Sequence, residues 1–209
     1  MIESPSAPPP AAPKPAAQSP APQPAAQSAA SNPAASSAVV LIGPPGAGKS
    51  VVGALLAAGL GVEFRDTDAE IGAAAGKPVS DIFIDDGEEA FRALESAAAA
   101  AALGERGPLR ERGGVLALGS GAVLDGGIQR LLDGLPVIYL AADFRTVARR
   151  TGLDVARVVV PGNPRGRLRA MLEERRPLYE RLASITVQTD DKDPEELVAE
   201  ITAMIGPPR

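Results

Sequence analysis

Cysteine, histidine and tryptophan are absent from this chain of 209 residues, and it has only two Tyr and four Phe. Without cysteine there are no disulfides, thiolate zinc sites or cysteine nucleophiles, and without histidine the commonest acid–base group at neutral pH is missing. Any chemistry must use carboxylates, Lys, Arg, hydroxyls, backbone amides or a borrowed metal. Basic charge is in the minority, with 21 Lys and Arg against 26 Asp and Glu and a formal charge of −5. Nucleic-acid scaffolds usually carry a basic excess, so no nucleic-acid partner is expected. No apolar run approaches the ~20 residues of a membrane span. The N-terminus lacks the basic start and apolar core of a secretory signal. A cytoplasmic protein without a membrane partner is the expectation.

Residues 1–37 contain 10 Pro, 12 Ala and 7 Ser, with Glu3 and Lys14 as the only charges. Such a stretch cannot bury enough apolar surface to offset its ordering entropy, which predicts a disordered, polyproline-prone tail. Residues 38–209 remain, enough for one ordinary domain. Apolar runs at 38–42, 115–118 and 135–140 suit strands buried on both faces, and 62–65 and 185–188 read as two further short strands. Helical patterns fall at 50–60, 88–103, 127–132, 144–150, 167–182 and 195–204. Thr67 and Glu70 have capping-box spacing, with Thr67 as the cap. The charged loop 104–114 is expected to be a solvated insertion, and the Pro/Gly-rich stretch 151–167 a mobile loop. Strands alternating with helices predict an α/β fold around a five-stranded parallel sheet.

Gly43-Pro44-Pro45-Gly46-Ala47-Gly48-Lys49-Ser50 fits G-x-x-x-x-G-K-[ST] between a buried strand and a helix, the context this phosphate-binding motif requires. Gly46, Ala47, Gly48, Lys49, Ser50 and Val51 form the candidate nucleotide-binding set. Lys49 would bridge the β- and γ-phosphates of ATP and the Ser50 hydroxyl would ligate Mg²⁺. The plainer alternative is a glycine-rich turn with no ligand. No Asn-Lys-x-Asp guanine-reading element is present, and the domain is short for a motor or transporter. Compact kinases of small molecules remain.

Downstream, Asp66-Thr67-Asp68, Phe91-Arg92-Ala93-Leu94-Glu95, Gly119-Ser120-Gly121-Ala122-Val123 and Arg175-Arg176-Pro177-Leu178-Tyr179 occur in one order. Together with the cradle they resemble the shikimate kinase family over about residues 39–205. The resemblance implies a three-layer, nucleoside monophosphate kinase-like fold with sheet order 2-3-1-4-5, and a monomer. It also implies transfer of the γ-phosphoryl of MgATP to the 3-hydroxyl of shikimate, on the way to chorismate and aromatic amino acids. In that reading Arg92 and Arg175 hold the shikimate carboxylate and Asp68 accepts from its hydroxyls beside the attacking oxygen. Glu95 orients Arg92, Gly119, Ser120 and Gly121 line the acceptor, and Asp66 stands behind the metal. Arg150 lies near adenine, and Arg157 is the lid arginine over the transferring phosphoryl, in a lid at about 151–167.

Each assignment has a plain competitor. Asp68 falls in the first turn of a helix, where acids are favoured by the dipole alone. Arg92 and Glu95 could form an ordinary surface ion pair. Arg175 sits among charges that suit a solvated helix face, and Arg150 could simply end a helix. Two departures stand out: Ser120 replaces the middle glycine of the family triplet, which would be strained if that residue had positive φ. The lid reads Arg157-Val158-Val159-Val160-Pro161 in place of Arg-Pro-Leu-Leu. Gluconate or adenylylsulfate kinase, or a non-catalytic nucleotide-binding relative, are the alternatives.

Overall fold

The computed structural model describes residues 38–154 and 163–206. The predicted tail at 1–37 and the middle of the predicted lid, Arg157 included, lie outside the described residues.

Strands β1 (Ala38–Ile42), β2 (Phe64–Asp66), β3 (Gly114–Ala117), β4 (Val137–Ala141) and β5 (Ile185–Gln188) form one parallel sheet in the order β2-β3-β1-β4-β5. This is the order the resemblance implied. Successive residues of a strand face opposite sides, and here both sides are covered. Ala38, Val40 and Ile42 enter one core, with Leu116, Val137 and Tyr139, while Val39 and Leu41 enter the other, with Val115, Ile138 and Leu140. The second core is closed by α1 (Lys49–Leu60) through Val52 and Leu56, and by α9 (Pro194–Ile205) through Leu197 and Ile201. The first is closed by α4 (Gly87–Leu103), α6 (Gly126–Leu131) and α8 (Pro164–Leu182), through Ala99, Ile128 and Tyr179. Each large aliphatic side chain removed from water in this way contributes about 1.5–3 kcal/mol.

In such a sheet, ligands bind beyond the carboxyl ends of the strands, where neighbouring connections depart in opposite directions. β1 is that strand: the chain leaves it for β2 on one side, and β4 is added on the other.

Three local expectations are corrected. Asp66, not Thr67, caps α2 (Thr67–Ala75): its Oδ1 accepts from the Asp68 amide at 2.9 Å and the Ala69 amide at 3.2 Å. Glu70 pairs with Arg65 instead, at 2.6 Å. The 104–114 segment does expose its charged residues, but it is anchored to the core and not merely a solvated insertion. It holds α5 (Pro108–Arg112), whose Leu109 is in the core, and Arg110 donates to the carbonyls of Leu103 at 2.9 Å and Leu131 at 2.6 Å. One apolar residue among charges gives no periodicity to detect, and it is burial that decides the outcome. Finally, α8 begins at Pro164, earlier than the expected 167, because Asn163 caps it by accepting from the Gly166 amide at 3.0 Å.

Two further short helices lie among the described residues. α3 (Val79–Asp85) packs Ile82 against Ile71 and Phe91 in a small satellite core, and α7 (Phe144–Arg150) follows β4.

Candidate active site

The loop after β1 carries Gly46 at φ 72° and Gly48 at φ 96°, backbone that side-chain-bearing residues adopt only with strain. Gly48 is the N-cap of α1 and offers no side chain to its amides. The first amides of α1 are thus left for a ligand, at the helix end where the dipole favours anions. Lys49 folds back over the loop, donating to the carbonyls of Gly43 at 3.0 Å and Pro44 at 3.1 Å. Ser50 Oγ donates to Asp66 Oδ2 at 2.5 Å, which joins the cradle to the end of β2. Ala47 is fully buried beneath the loop, while Val51 faces outward in the first turn of α1.

Asp68 follows Asp66 by two residues, in the first turn of α2. Burial pushes its carboxyl above the ordinary range, against the pull of Lys49. Its Oδ1 is buried and has no hydrogen-bond partner among the described residues. Burial likewise lowers the Lys49 ammonium, with Asp68, Asp66 and Glu95 opposing that shift. The two groups therefore share one poorly hydrated region with opposite charges, the condition under which electrostatic stabilisation of a transferring phosphoryl is strongest.

Across from them, α4 presents Arg92 and Glu95. Arg92 Nη1 donates to Glu95 Oε2 at 2.5 Å, and its Nη2 to Glu88 Oε1 at 3.2 Å. The guanidinium carbon also sits 5.6 Å from the Phe83 ring centroid and 5.4 Å from that of Phe91. Phe83 comes from α3, an element that the sequence did not reveal and that backs the arginine. Glu95 is 2% exposed, so the surface ion-pair reading fails. Its second oxygen accepts from the Gly121 amide at 3.1 Å.

Arg175 is 8% exposed, so it does not lie on a solvated helix face. It donates to the Ser120 carbonyl at 3.3 Å, and its Nε is buried without a partner among the described residues. Tyr179, one turn on, donates to the same carbonyl at 2.7 Å and stacks on Tyr139 at 5.1 Å. Burial pushes the Tyr179 hydroxyl well above its usual range, so it stays a donor.

Gly119-Ser120-Gly121 lies at the centre of these contacts. A Cβ at Gly119 would strike the carboxylates of Glu95 and Asp68, and one at Gly121 would strike Arg92 and Glu95. These glycines are needed for space. Among the described residues, only Asn163 and Asp191 combine a side chain with positive φ, so Ser120 carries no such strain. A cleft of about 730 Å³ opens here, lined in part by Arg92, Glu95, Ser96, Gly121 and Asp125.

Arg150 ends α7 with its guanidinium engaged, donating to the Gly46 carbonyl at 3.2 Å, Thr189 Oγ1 at 3.1 Å and the Thr189 carbonyl at 2.8 Å. It ties the phosphate loop to the segment after β5. Thr67 is a further residue that the sequence reading missed in this role. It is fully buried, and its hydroxyl accepts from the Gly119 amide at 2.8 Å. The capping-box spacing concealed this contact, which joins residues 52 apart.

A phosphate cradle facing a pocket of guanidiniums and carboxylates, on the β1 end of a parallel sheet, defines a P-loop phosphotransferase for a small acidic molecule. The sequence model of the shikimate kinase family matches residues 45–206. A shikimate kinase of Thermobifida fusca is 53% identical over 78% of this chain and 91% of its own length. One of Salinispora arenicola is 49% identical over 80% and 96%. Among solved structures, the shikimate kinase of Acinetobacter baumannii in complex with shikimate superposes with a TM-score of 0.71 at 33% identity, covering 81% of this chain and 92% of that one. The chain belongs to the shikimate kinase family.

Proposed function

We propose that this chain transfers the γ-phosphoryl group of ATP to the 3-hydroxyl of shikimate, giving shikimate 3-phosphate and ADP. The observation that carries this reading is a pair of buried polar atoms without partners among the described residues, Asp68 Oδ1 and Arg175 Nε. Buried polar groups are normally satisfied. Here an acceptor and a cationic donor are both left over beside residues 119–121, Asp68 against Gly119 and Arg175 at the Ser120 carbonyl. An acidic alcohol supplies both missing partners, its hydroxyl donating to Asp68 and its carboxylate accepting from Arg175 and Arg92.

In the proposed reaction the acceptor oxygen bonds to the γ-phosphorus as the bond from phosphorus to the β–γ bridging oxygen breaks. The hydroxyl proton passes to Asp68, and ADP leaves. The transition state is loose, so orientation and charge neutralisation matter more than a strong base. Arg92 and Arg175 orient the acceptor, and Lys49 with the amides of 46–51 orients the phosphates. Ser50 and Asp66 supply two adjacent oxygens of the kind a hard divalent cation takes beside phosphates. Ser50 and Asp66 would hold Mg²⁺ there, and it would supply neutralisation of phosphate charge. Arg150 borders the base region, and Arg157, from its place in the sequence, is assigned to the transferring group within a lid at about 151–167.

A cytoplasmic monomer comprising a 38–209 domain and a 1–37 tail completes the proposal. The acidic charge balance supports the absence of a nucleic-acid partner. No helix among the described residues is long and apolar enough to cross a membrane. The test is ADP release with MgATP and a panel of shikimate, gluconate and adenylylsulfate. Turnover confined to shikimate is expected. Turnover of another acceptor without shikimate, or of none, overturns the reading.

A further inference from the structure

Three backbone atoms of Gly119-Ser120-Gly121 are each held by a different helix. The Gly119 amide donates to Thr67 Oγ1 at the start of α2, at 2.8 Å. The Ser120 carbonyl accepts from Tyr179 of α8, at 2.7 Å. The Gly121 amide donates to Glu95 of α4, at 3.1 Å. Each anchor is a close neighbour of one acceptor-binding group. Thr67 precedes Asp68 in the chain, Glu95 is one turn from Arg92 and bonded to it, and Tyr179 is one turn from Arg175.

We propose that Thr67 and Tyr179 are positioning residues for phosphoryl transfer. Through their bonds to residues 119–121 they set the spacing among Asp68, Arg92 and Arg175, so that the acceptor hydroxyl meets the phosphate in line. The inference rests on the acceptor reading given above. Neither side chain needs to touch the acceptor, because their partners are main-chain atoms. The spacing is fixed because the tripeptide has no slack: Gly119 and Gly121 already lie against the carboxylates and the guanidinium that a Cβ would displace. Both anchors are buried, Thr67 at 0% and Tyr179 at 1% exposure, so water cannot take the place of a lost hydroxyl without a cavity. Positional errors of about 1 Å at a reacting centre can cost on the order of 10²-fold in rate.

Thr67→Val and Tyr179→Phe remove one hydroxyl each and keep side-chain shape. Measured well below their melting temperatures, both are expected to lower kcat/KM for shikimate by about 10- to 100-fold, leaving the KM for ATP unchanged. Thr67→Ser, which keeps the hydroxyl, should recover most of the loss. The double variant should lose little more than the worse single one, because both act on one tripeptide. Parallel changes in both KM values, failure of Ser to rescue, fully multiplying losses, or wild-type kinetics in Tyr179→Phe would each overturn the proposal. If Thr67→Val does not fold, Tyr179→Phe carries the test alone. Shikimate turnover by the unmodified protein separates the two levels. Its absence sinks the acceptor reading, and this proposal with it, whereas turnover with unaltered variants sinks this proposal alone.

Discussion

Arg92 and Glu95 stand one turn apart on α4 and are joined at 2.5 Å, with the carboxylate the deeper partner at 3% side-chain exposure against 28%. The arginine is therefore held from beneath and can present its remaining donors to the cleft. Glu95→Ala leaves the Gly121 amide unsatisfied as well, which costs about 1–3 kcal/mol of stability. In a domain of this size each kcal/mol lowers the melting temperature by about 2–4 °C. Glu95→Gln keeps an acceptor for Gly121 but no longer fixes Arg92. It is expected to melt closer to wild type while still raising the KM for shikimate, as calorimetry and steady-state kinetics will show.

Asp68 gives a pH dependence whose sign can be worked out. Its pKa is raised in the folded state, so ionising it costs stability. That cost is absent below the unfolded carboxylate pKa of about 3.9 and complete once pH exceeds the folded value. Asp68→Asn is accordingly expected to melt higher than wild type at pH 7, with the difference closing toward about pH 4. The same substitution should reduce kcat by about 10²- to 10⁴-fold, since the proton acceptor is gone. The acid limb of the wild-type kcat/KM profile should lie above the ordinary carboxylate range, and the basic limb, set by Lys49, below the ordinary lysine range.

Asp66 combines a helix cap with a bond to Ser50, and the two roles separate by substitution. Asparagine caps as well as aspartate, so Asp66→Asn should keep α2 intact. Loss of its charge should raise the Mg²⁺ concentration for half-maximal activity by about 10- to 100-fold. Asp66→Ala should show that defect together with about 1 kcal/mol of lost stability. A magnesium titration beside a melting curve distinguishes the variants.

Arg150 links Gly46 to Thr189, so Arg150→Met should loosen the nucleotide loop. A rise of about tenfold in the KM for ATP is expected. The KM for shikimate at saturating ATP should stay as it is.

Strands β1, β3 and β4 were legible because each is a short apolar run, and the cradle because its glycines, lysine and serine are contiguous. The sheet order and the acceptor-binding residues came from resemblance, not from periodicity. α3 escaped notice because only Ile82 of its seven residues is buried, while Ile84 is 81% exposed, so no stripe forms. The cap of α2 was misread as Thr67 because two adjacent residues, Asp66 and Thr67, can both cap a helix. The choice was made by Gly119, distant in sequence, which engages the threonine hydroxyl. The holds on residues 119–121 were illegible for the same reason: they join residues 26 to 59 positions apart.

The pairing of the acceptor carboxylate with Arg175 is tested most directly by measuring shikimate binding calorimetrically beside its primary amide, an uncharged isostere, to wild type and Arg175→Met. For wild type, the amide should bind about 10- to 100-fold more weakly than the acid. For Arg175→Met the two should bind nearly alike, because the charge has lost its partner. Equal affinities in wild type, or an undiminished preference for the acid in the variant, would contradict that pairing.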